Sequence, residues 1–170
     1  HFRCVEPIIQ FSNKHWYSGE IRPLRIPSAS ERIDPPLVDV FVKGGYRPDG
    51  QQVNPPEAQA IVREIQLIVE DPKMANRTIG VVSLLGAGQA KHIQELLVSE
   101  IGEEAIVRHG IRCGDAMAFQ GKEADIVMLS MVADGNGLRA QTRREIQQRY
   151  NVACSRARDR MYLFRSVTRE

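Results

Sequence analysis

The chain has 170 residues, a length that suits one complete hydrophobic core and is short for two domains of usual size. With 42% hydrophobic and 26% charged residues, and only 13 Gly and 9 Pro, the composition excludes a disordered tail, a collagen-like repeat and a small disulfide scaffold. The net charge of +2 hides an asymmetry: residues 138–170 carry nine Arg, no Lys and three acids (Glu145, Asp159, Glu170), a local +6 against −4 for the remainder.

Arginine without lysine suits bidentate contacts to phosphate or carboxylate, because the guanidinium is a planar fork of donors. A solvated basic helix is the plainer reading of such a segment, and charge alone does not separate the two. The longest apolar runs, Ile79 to Leu85 and Ile126 to Ala133, fall far short of the ~20 residues of a membrane span, and the N-terminus carries no signal-peptide pattern. Cys4, Cys113 and Cys154 are odd in number, widely spaced and outside CxxC pairs. That pattern argues against a disulfide framework and a zinc site and points to a soluble protein of a reducing, cytoplasmic compartment. The chain opens without Met, directly into HFRCVEPIIQFSN, which is the expectation for a domain excised from a longer protein.

In chain order, Val5, Ile8, Ile9 and Phe11 are spaced for a short helix over 5–13 with Pro7 in its first turn. Residues 22–36 are proline-rich and polar and read as a loop. Alternating, β-branched Val38-Asp39-Val40-Phe41-Val42 predicts a strand, ended by Gly44-Gly45 and the turn residues Arg47-Pro48-Asp49-Gly50. Asn54-Pro55-Pro56-Glu57 reads as a helix start, with Asn as cap, prolines in the first turn and Glu57 completing a capping box. Ile61, Val62, Ile65, Ile68 and Val69 then form one helix face.

Thr78 to Leu85 is a continuous apolar run of strand length, as expected for a strand covered on both faces. Gly86-Ala87-Gly88 turns the chain into a helix through Ile93, Leu96, Leu97 and Ile101. A short strand is predicted around Ala105 to Arg108 and a buried one over Asp125 to Val132. Residues 139–158 are mostly helix formers, and Met161 to Phe164 is a last short strand. Strands alternating with helices imply βαβ units and a mainly parallel sheet with helices on both faces.

In such sheets ligands bind beyond the carboxyl ends of strands, which directs attention to the loops after Leu84, around residue 114 and after Ser130. Gly86-Ala87-Gly88-Gln89-Ala90-Lys91 follows a strand and opens a helix, but it matches neither GxxxxGK[ST], because His92 follows Lys91, nor GxGxxG. A simple turn whose helix N-terminus approaches a phosphate backbone is the better reading. Gln120, Lys122, Glu123 and Asp125 cluster at a strand entrance, and by periodicity alone they are a solvated turn. Helical spacing puts Arg149, Arg156 and Arg160 near one stripe with Arg158 opposite. Cys154 reads as a small buried residue, since no CxxxxxR phosphate loop surrounds it. His15, His92 and His109 lie in ordinary contexts, and no metal is assigned.

Four stretches, FRCVEPIIQFSN at 2–13, GVVSLLGAGQ at 80–89, FQGKEADIVMLS at 119–130 and YNVACSRARD at 150–159, resemble in order the successive motifs of superfamily 1 helicases of the up-frameshift type. The likeness spans nearly the whole chain and is most specific in FQGKEADIV and NVACSRAR. The variant GDAMAFQGKEAD looks especially like bacterial DNA/RNA helicase-like proteins. The resemblance implies that residues 1–170 form a second RecA-like domain, a P-loop NTPase fold without its own P-loop. ATP and Mg²⁺ would be bound mainly by the first such domain.

On the same resemblance, Arg3 and Arg156 are candidate arginine fingers that stabilise phosphoryl transfer from across the cleft. Glu123 matches an acid near the nucleotide ribose, with Gln120 and Gly121 shaping its loop, and Ser83, Gln89 and Asp115 match the nucleic-acid face. Met117 departs from the Asp usual there. The implied function is ATP-driven translocation along single-stranded DNA or RNA, usually 5′ to 3′ in the family, with this chain alone inactive. The alternative is a non-enzymatic nucleic-acid- or protein-binding module on a degenerate helicase fold. A small-molecule enzyme of Rossmann type lacks its Gly-rich fingerprint here.

Overall fold

The computed structural model describes residues 3–48, 51–135 and 144–168. Its centre is a five-stranded sheet in which every neighbouring pair is parallel, in the order β1-β5-β4-β2-β3. The strands are β1 (Leu37–Phe41), β2 (Ile79–Ser83), β3 (Arg112–Asp115), β4 (Ala124–Ser130) and β5 (Ala157–Arg165). The helices are α1 (Glu6–Trp16), α2 (Pro55–Glu70), α3 (Ala87–Glu100), α4 (Glu103–Arg108) and α5 (Arg144–Cys154).

Side-chain alternation along the strands divides the core into two layers. Ile79, Val81, Ile126, Met128, Tyr162 and Phe164 face Ile61, Ile65, Ile93 and Leu97 of α2 and α3. Val82, Val127, Leu129 and Met161 face the other way, toward Ile8 and Ile9 of α1 and Ala153 and Cys154 of α5. All five residues of β2 are buried, as the unbroken apolar run requires of a strand covered on both sides. Each fully buried Ile or Leu contributes roughly 1.5–3 kcal/mol relative to exposure, so these two layers dominate the stability.

The crossover from β3 to β4 has no helix of its own. Residues 116–123 descend the α1/α5 face in successive turns, with Phe119 N–H donating to Asp115 O (3.2 Å) and Lys122 N–H to Phe119 O (3.0 Å). Phe119 sits against two glycines: a Cβ on Gly80 would meet Phe119 Cε1 at 2.8 Å, and one on Gly114 would come within 3.4 Å of the same ring. The bare backbone of the sheet therefore makes room for the crossover that carries Gln120 to Glu123 to the amino edge.

Three expectations change. Residues 105–108 belong to helix α4, because Gly102 opens a new turn, Glu103 and Glu104 occupy its positive N-terminal end and Ala105 is buried; the strand lies further on, at 112–115. The helix predicted over 139–158 is described from Arg144 to Cys154, and residues 136–143 lie outside the described residues. Its end is set at Val152, whose carbonyl accepts from Ser155 N, Ser155 Oγ and Arg156 Nε. Arg156 therefore stands in the turn between α5 and β5, while Arg158 and Arg160 lie on β5, so the single helical stripe does not form.

Candidate functional site

The sheet's amino edge gathers Arg3, Gln120, Gly121, Glu123 and Arg156 from three separate parts of the chain. Pairing of β4 with β5 brings the two short loops together, and Ala124 N–H donates to Arg156 O (3.1 Å). The segment before α1 is pinned to the same edge by Val5 N–H donating to Arg158 O (2.9 Å) and Cys4 Sγ to Ser155 O (3.4 Å). Gly121 has φ +81°, a left-handed conformation that turns the crossover toward Glu123 and that favours glycine.

Three guanidinium groups converge there in different circumstances. Arg3 Nε pairs with Glu123 Oε2 at 2.8 Å, and Arg158 lies at 3.8 Å from the other oxygen of Glu123 and 3.6 Å from Asp125. Arg156 donates instead to neutral acceptors: Val152 O (2.8 Å), Ser155 Oγ (3.0 Å) and Lys122 O (3.4 Å). Burial and the nearby charge of Arg3 lower its pKa from the ordinary guanidinium value, the signature of a positive charge held where it lacks full compensation. An anion entering this edge would relieve both. The Cys4 thiol beside it is pushed up to about 12, chiefly by burial, and so is the buried Cys154, which removes either as a nucleophile.

The carboxyl edge carries Ser83, Gln89 and Asp115, well separated from the arginines. Ser83 and Gln89 are fully buried, and neither reaches the surface. Gln89 brackets Asn54, accepting from its N–H (2.8 Å) and donating to its carbonyl (3.1 Å), and also donates to Ser130 Oγ (3.1 Å). Asp115 is half-buried and caps the crossover by accepting from Ala118 N–H (2.8 Å). Met117 is 62% exposed beside it.

The capping box is only half made. Asn54 Oδ1 accepts from Glu57 N–H (3.2 Å), but the reciprocal bond to Asn54 N–H comes from Gln89. The Glu57 carboxylate, fully buried, turns inward to accept from Ser130 Oγ (2.7 Å), Val132 N–H (2.8 Å) and Ser166 Oγ (2.9 Å). It thereby holds Val132 at φ +63°, a strained conformation for a β-branched residue. Desolvation raises the pKa of Glu57, and those hydrogen bonds oppose the rise. The sequence pattern S/T/D/N-x-x-E marks only the helix start; nothing in it reports the distant serines.

The Gly86–Lys91 turn is occupied by the chain itself. Gln52 lies directly over Gly86, whose Cβ would stand 2.0 Å from Gln52 Oε1, and the Gln52 carbonyl lies 3.4 Å from the corresponding position of Gly88. A second buried acid, Asp159, escaped sequence reading: it accepts from Arg25 (2.7 and 2.9 Å) and Arg77 (3.1 Å), tying the proline-rich loop to β5. Among the described residues no group of three or more His, Cys, Asp or Glu side chains converges on a metal-sized site, and no helix is long and apolar enough to cross a membrane.

Comparison with known proteins places the fold and the family. The C-terminal domain of a possible DNA helicase from Lactobacillus plantarum WCFS1 has a similar structure, with a TM-score of 0.56 at 14% identity, covering 96% of this chain and 86% of that one. At that identity the likeness speaks to the fold. No curated protein matches the chain. A family model described as an AAA domain, AAA_12, matches residues 1–167. The chain belongs to that family, whose members are helicase-like C-terminal domains of the up-frameshift type, and its fold is that of a RecA-like helicase domain.

Proposed function

We propose that the chain is the second motor domain of an ATP-dependent DNA or RNA helicase and that its amino edge closes over ATP held by a first RecA-like domain. The observation that carries this reading is Arg156: a guanidinium fixed by three hydrogen bonds to neutral acceptors, beside a second arginine, at an edge open to solvent. In the closed state Arg156 and Arg3 supply fixed positive charge to the transferring phosphoryl group. Glu123, an exposed carboxylate, receives ribose hydroxyl donors, and Gln120 and Gly121 shape the loop that presents it.

These residues fit half a nucleotide site. The arginines suit the outer face of a triphosphate, whereas the phosphate-cradling loop and the acid that holds Mg²⁺ belong to the companion domain. Bound Mg²⁺ would supply positive charge that offsets the charge of the triphosphate. Nucleic acid would run as a single strand gripped through its backbone, making binding salt-dependent and largely indifferent to sequence. Ser83 and Gln89 support that face from below; Asp115 and Met117 stand at its surface.

The test is ATP hydrolysis by the parent protein containing both motor domains, with and without single-stranded DNA or RNA. Stimulation by one strand type supports the motor and names its track. A second reading, a binding module without turnover, is favoured by Met117, an exposed thioether where the related motifs carry Asp. Strand binding with no hydrolysis by the parent would select it.

A further inference from the structure

Where α1 lies beside α5, three rings crowd the last turns of α1. Phe11 is 47% exposed, His15 is exposed and Trp16 is half-buried. The Phe11 centroid lies 4.7 Å from that of His15 and 5.4 Å from that of Trp16, and the His15 and Trp16 centroids are 5.9 Å apart. The core does not require them, because α1 packs inward through Ile8, Ile9 and Ser12. With Gln147 and Tyr150 of α5 they line an open groove of about 270 Å³.

Among the described residues the lining consists of four rings and an amide. The same two helices carry exposed cations, Lys14 on α1 and Arg144 and Arg149 on α5, with Arg149 lining the adjoining groove beside Met117 and Gln120. In sequence, residues 138–150 carry four arginines, Arg139, Arg143, Arg144 and Arg149, against the single acid Glu145. Ring faces for stacking, an amide for base-edge hydrogen bonds and surrounding positive charge are together the chemistry that recognises an unpaired nucleobase on its phosphate chain.

The groove also adjoins the arginine site. Trp16 is followed by Tyr17, whose hydroxyl accepts from Asn151 Nδ2 (3.2 Å), and Tyr17 lies within electrostatic reach of Arg156.

We infer that the α1/α5 groove is a nucleobase-stacking platform for single-stranded nucleic acid. A base packs against Phe11 and Trp16, Gln147 meets its edge, and Lys14, Arg144 and Arg149 meet the neighbouring phosphates. This inference rests on the proposed helicase reading, because it assumes that the chain binds a single strand, and it adds a place where bases rather than backbone are held.

Trp16 is the sole tryptophan of the chain and therefore reports the contact by its fluorescence. The chain is titrated with end-labelled oligo-dT, oligo-rU and an abasic strand of the same length, about 12 nucleotides, reading tryptophan emission and label anisotropy together. The expected result is quenching of Trp16 by a base-bearing strand and none by the abasic strand. Affinity for the base-bearing strand should fall about tenfold in Phe11→Ala, with an unchanged salt slope. Binding by anisotropy without quenching, equal quenching by the abasic strand, or undiminished affinity in Phe11→Ala would overturn the platform and leave the helicase reading standing. Absence of any strand binding by the chain would overturn the platform, whereas the helicase reading falls only if the two-domain parent shows no strand-stimulated hydrolysis. DNA and RNA arms that differ only in affinity support the platform and identify the preferred strand.

Discussion

Arg3 and Glu123, 120 residues apart in the chain, meet in an ion pair of 2.8 Å at the amino edge of the sheet, with about a third of the Arg3 side chain and 42% of the Glu123 side chain exposed. The pair ties down one of the two candidate arginines at the open edge and leaves Arg156, held by neutral acceptors, as the other. An incoming triphosphate would compete with Glu123 for Arg3, and ribose hydroxyls would compete with Arg3 for Glu123. Under the proposed function, nucleotide binding and release of this pair would thus be linked.

Glu123→Gln separates the stability of this edge from its function. A half-exposed ion pair contributes roughly 0.2–1 kcal/mol, so the midpoint of chemical unfolding should move by no more than that amount allows. In the parent protein the same change should raise KM for ATP by removing the ribose contact, while Arg3 is freed. A loss of stability of several kcal/mol would show that Glu123 is a structural anchor.

Glu57 should make stability depend on pH. Its folded pKa is raised by desolvation, so between the unfolded value, near the usual carboxylate range, and the higher folded value the unfolded state has already lost its proton while the folded state retains it. The Glu57 contribution is therefore fully present below the unfolded value and declines as pH rises through the folded value. Denaturant titrations across that interval should show the decline in the wild type and its absence in Glu57→Gln. Glu57→Ala should cost about 3 kcal/mol below the unfolded carboxylate value and less as pH rises through the folded value, because Val132 N–H and the two serine hydroxyls lose a buried acceptor.

Asp159, 1% exposed between Arg25 and Arg77, is the fastening of the proline-rich loop. Asp159→Ala should destabilise the chain by about 3–5 kcal/mol, since it leaves two partly buried guanidinium groups without their carboxylate. The double variant with Arg25→Ala should recover part of the loss, and equilibrium unfolding of the four proteins of that cycle measures the coupling.

Much of this architecture is legible in the sequence where one local signal decides it. The unbroken run Thr78 to Leu85 marks a central strand, which the fold places at Ile79–Ser83, and Asn54 marks the start of α2. The signals fail where a distant partner decides. Residues 105–108 look β-branched enough for a strand, yet Gly102 and two acids at a helix N-terminus win locally, and the true edge strand, Arg112–Asp115, has a polar composition that only pairing with β2 makes a strand. The motif around Arg156 singles it out as a candidate, but helical periodicity puts it on the wrong element, because three hydrogen bonds converging on the Val152 carbonyl end α5 before it. The inward turn of Glu57 and the grip of Asp159 on two arginines join residues 73 to 134 positions apart, and no spacing rule carries such contacts.

Under the proposed function Arg156 acts on the transferring phosphoryl group, in addition to the hydrogen bond by which it helps to end α5. The most direct test of that role compares wild type with Arg156→Lys in the two-domain parent, measuring nucleic-acid-stimulated ATP hydrolysis and ATP affinity side by side. Lysine keeps the charge but loses the planar fork, so kcat should fall about 10³-fold or more, in the range of an arginine finger, with ATP affinity nearly unchanged and the protein still folded at the assay temperature. Stimulated hydrolysis at the wild-type rate in Arg156→Lys and again in Arg156→Ala would contradict that role.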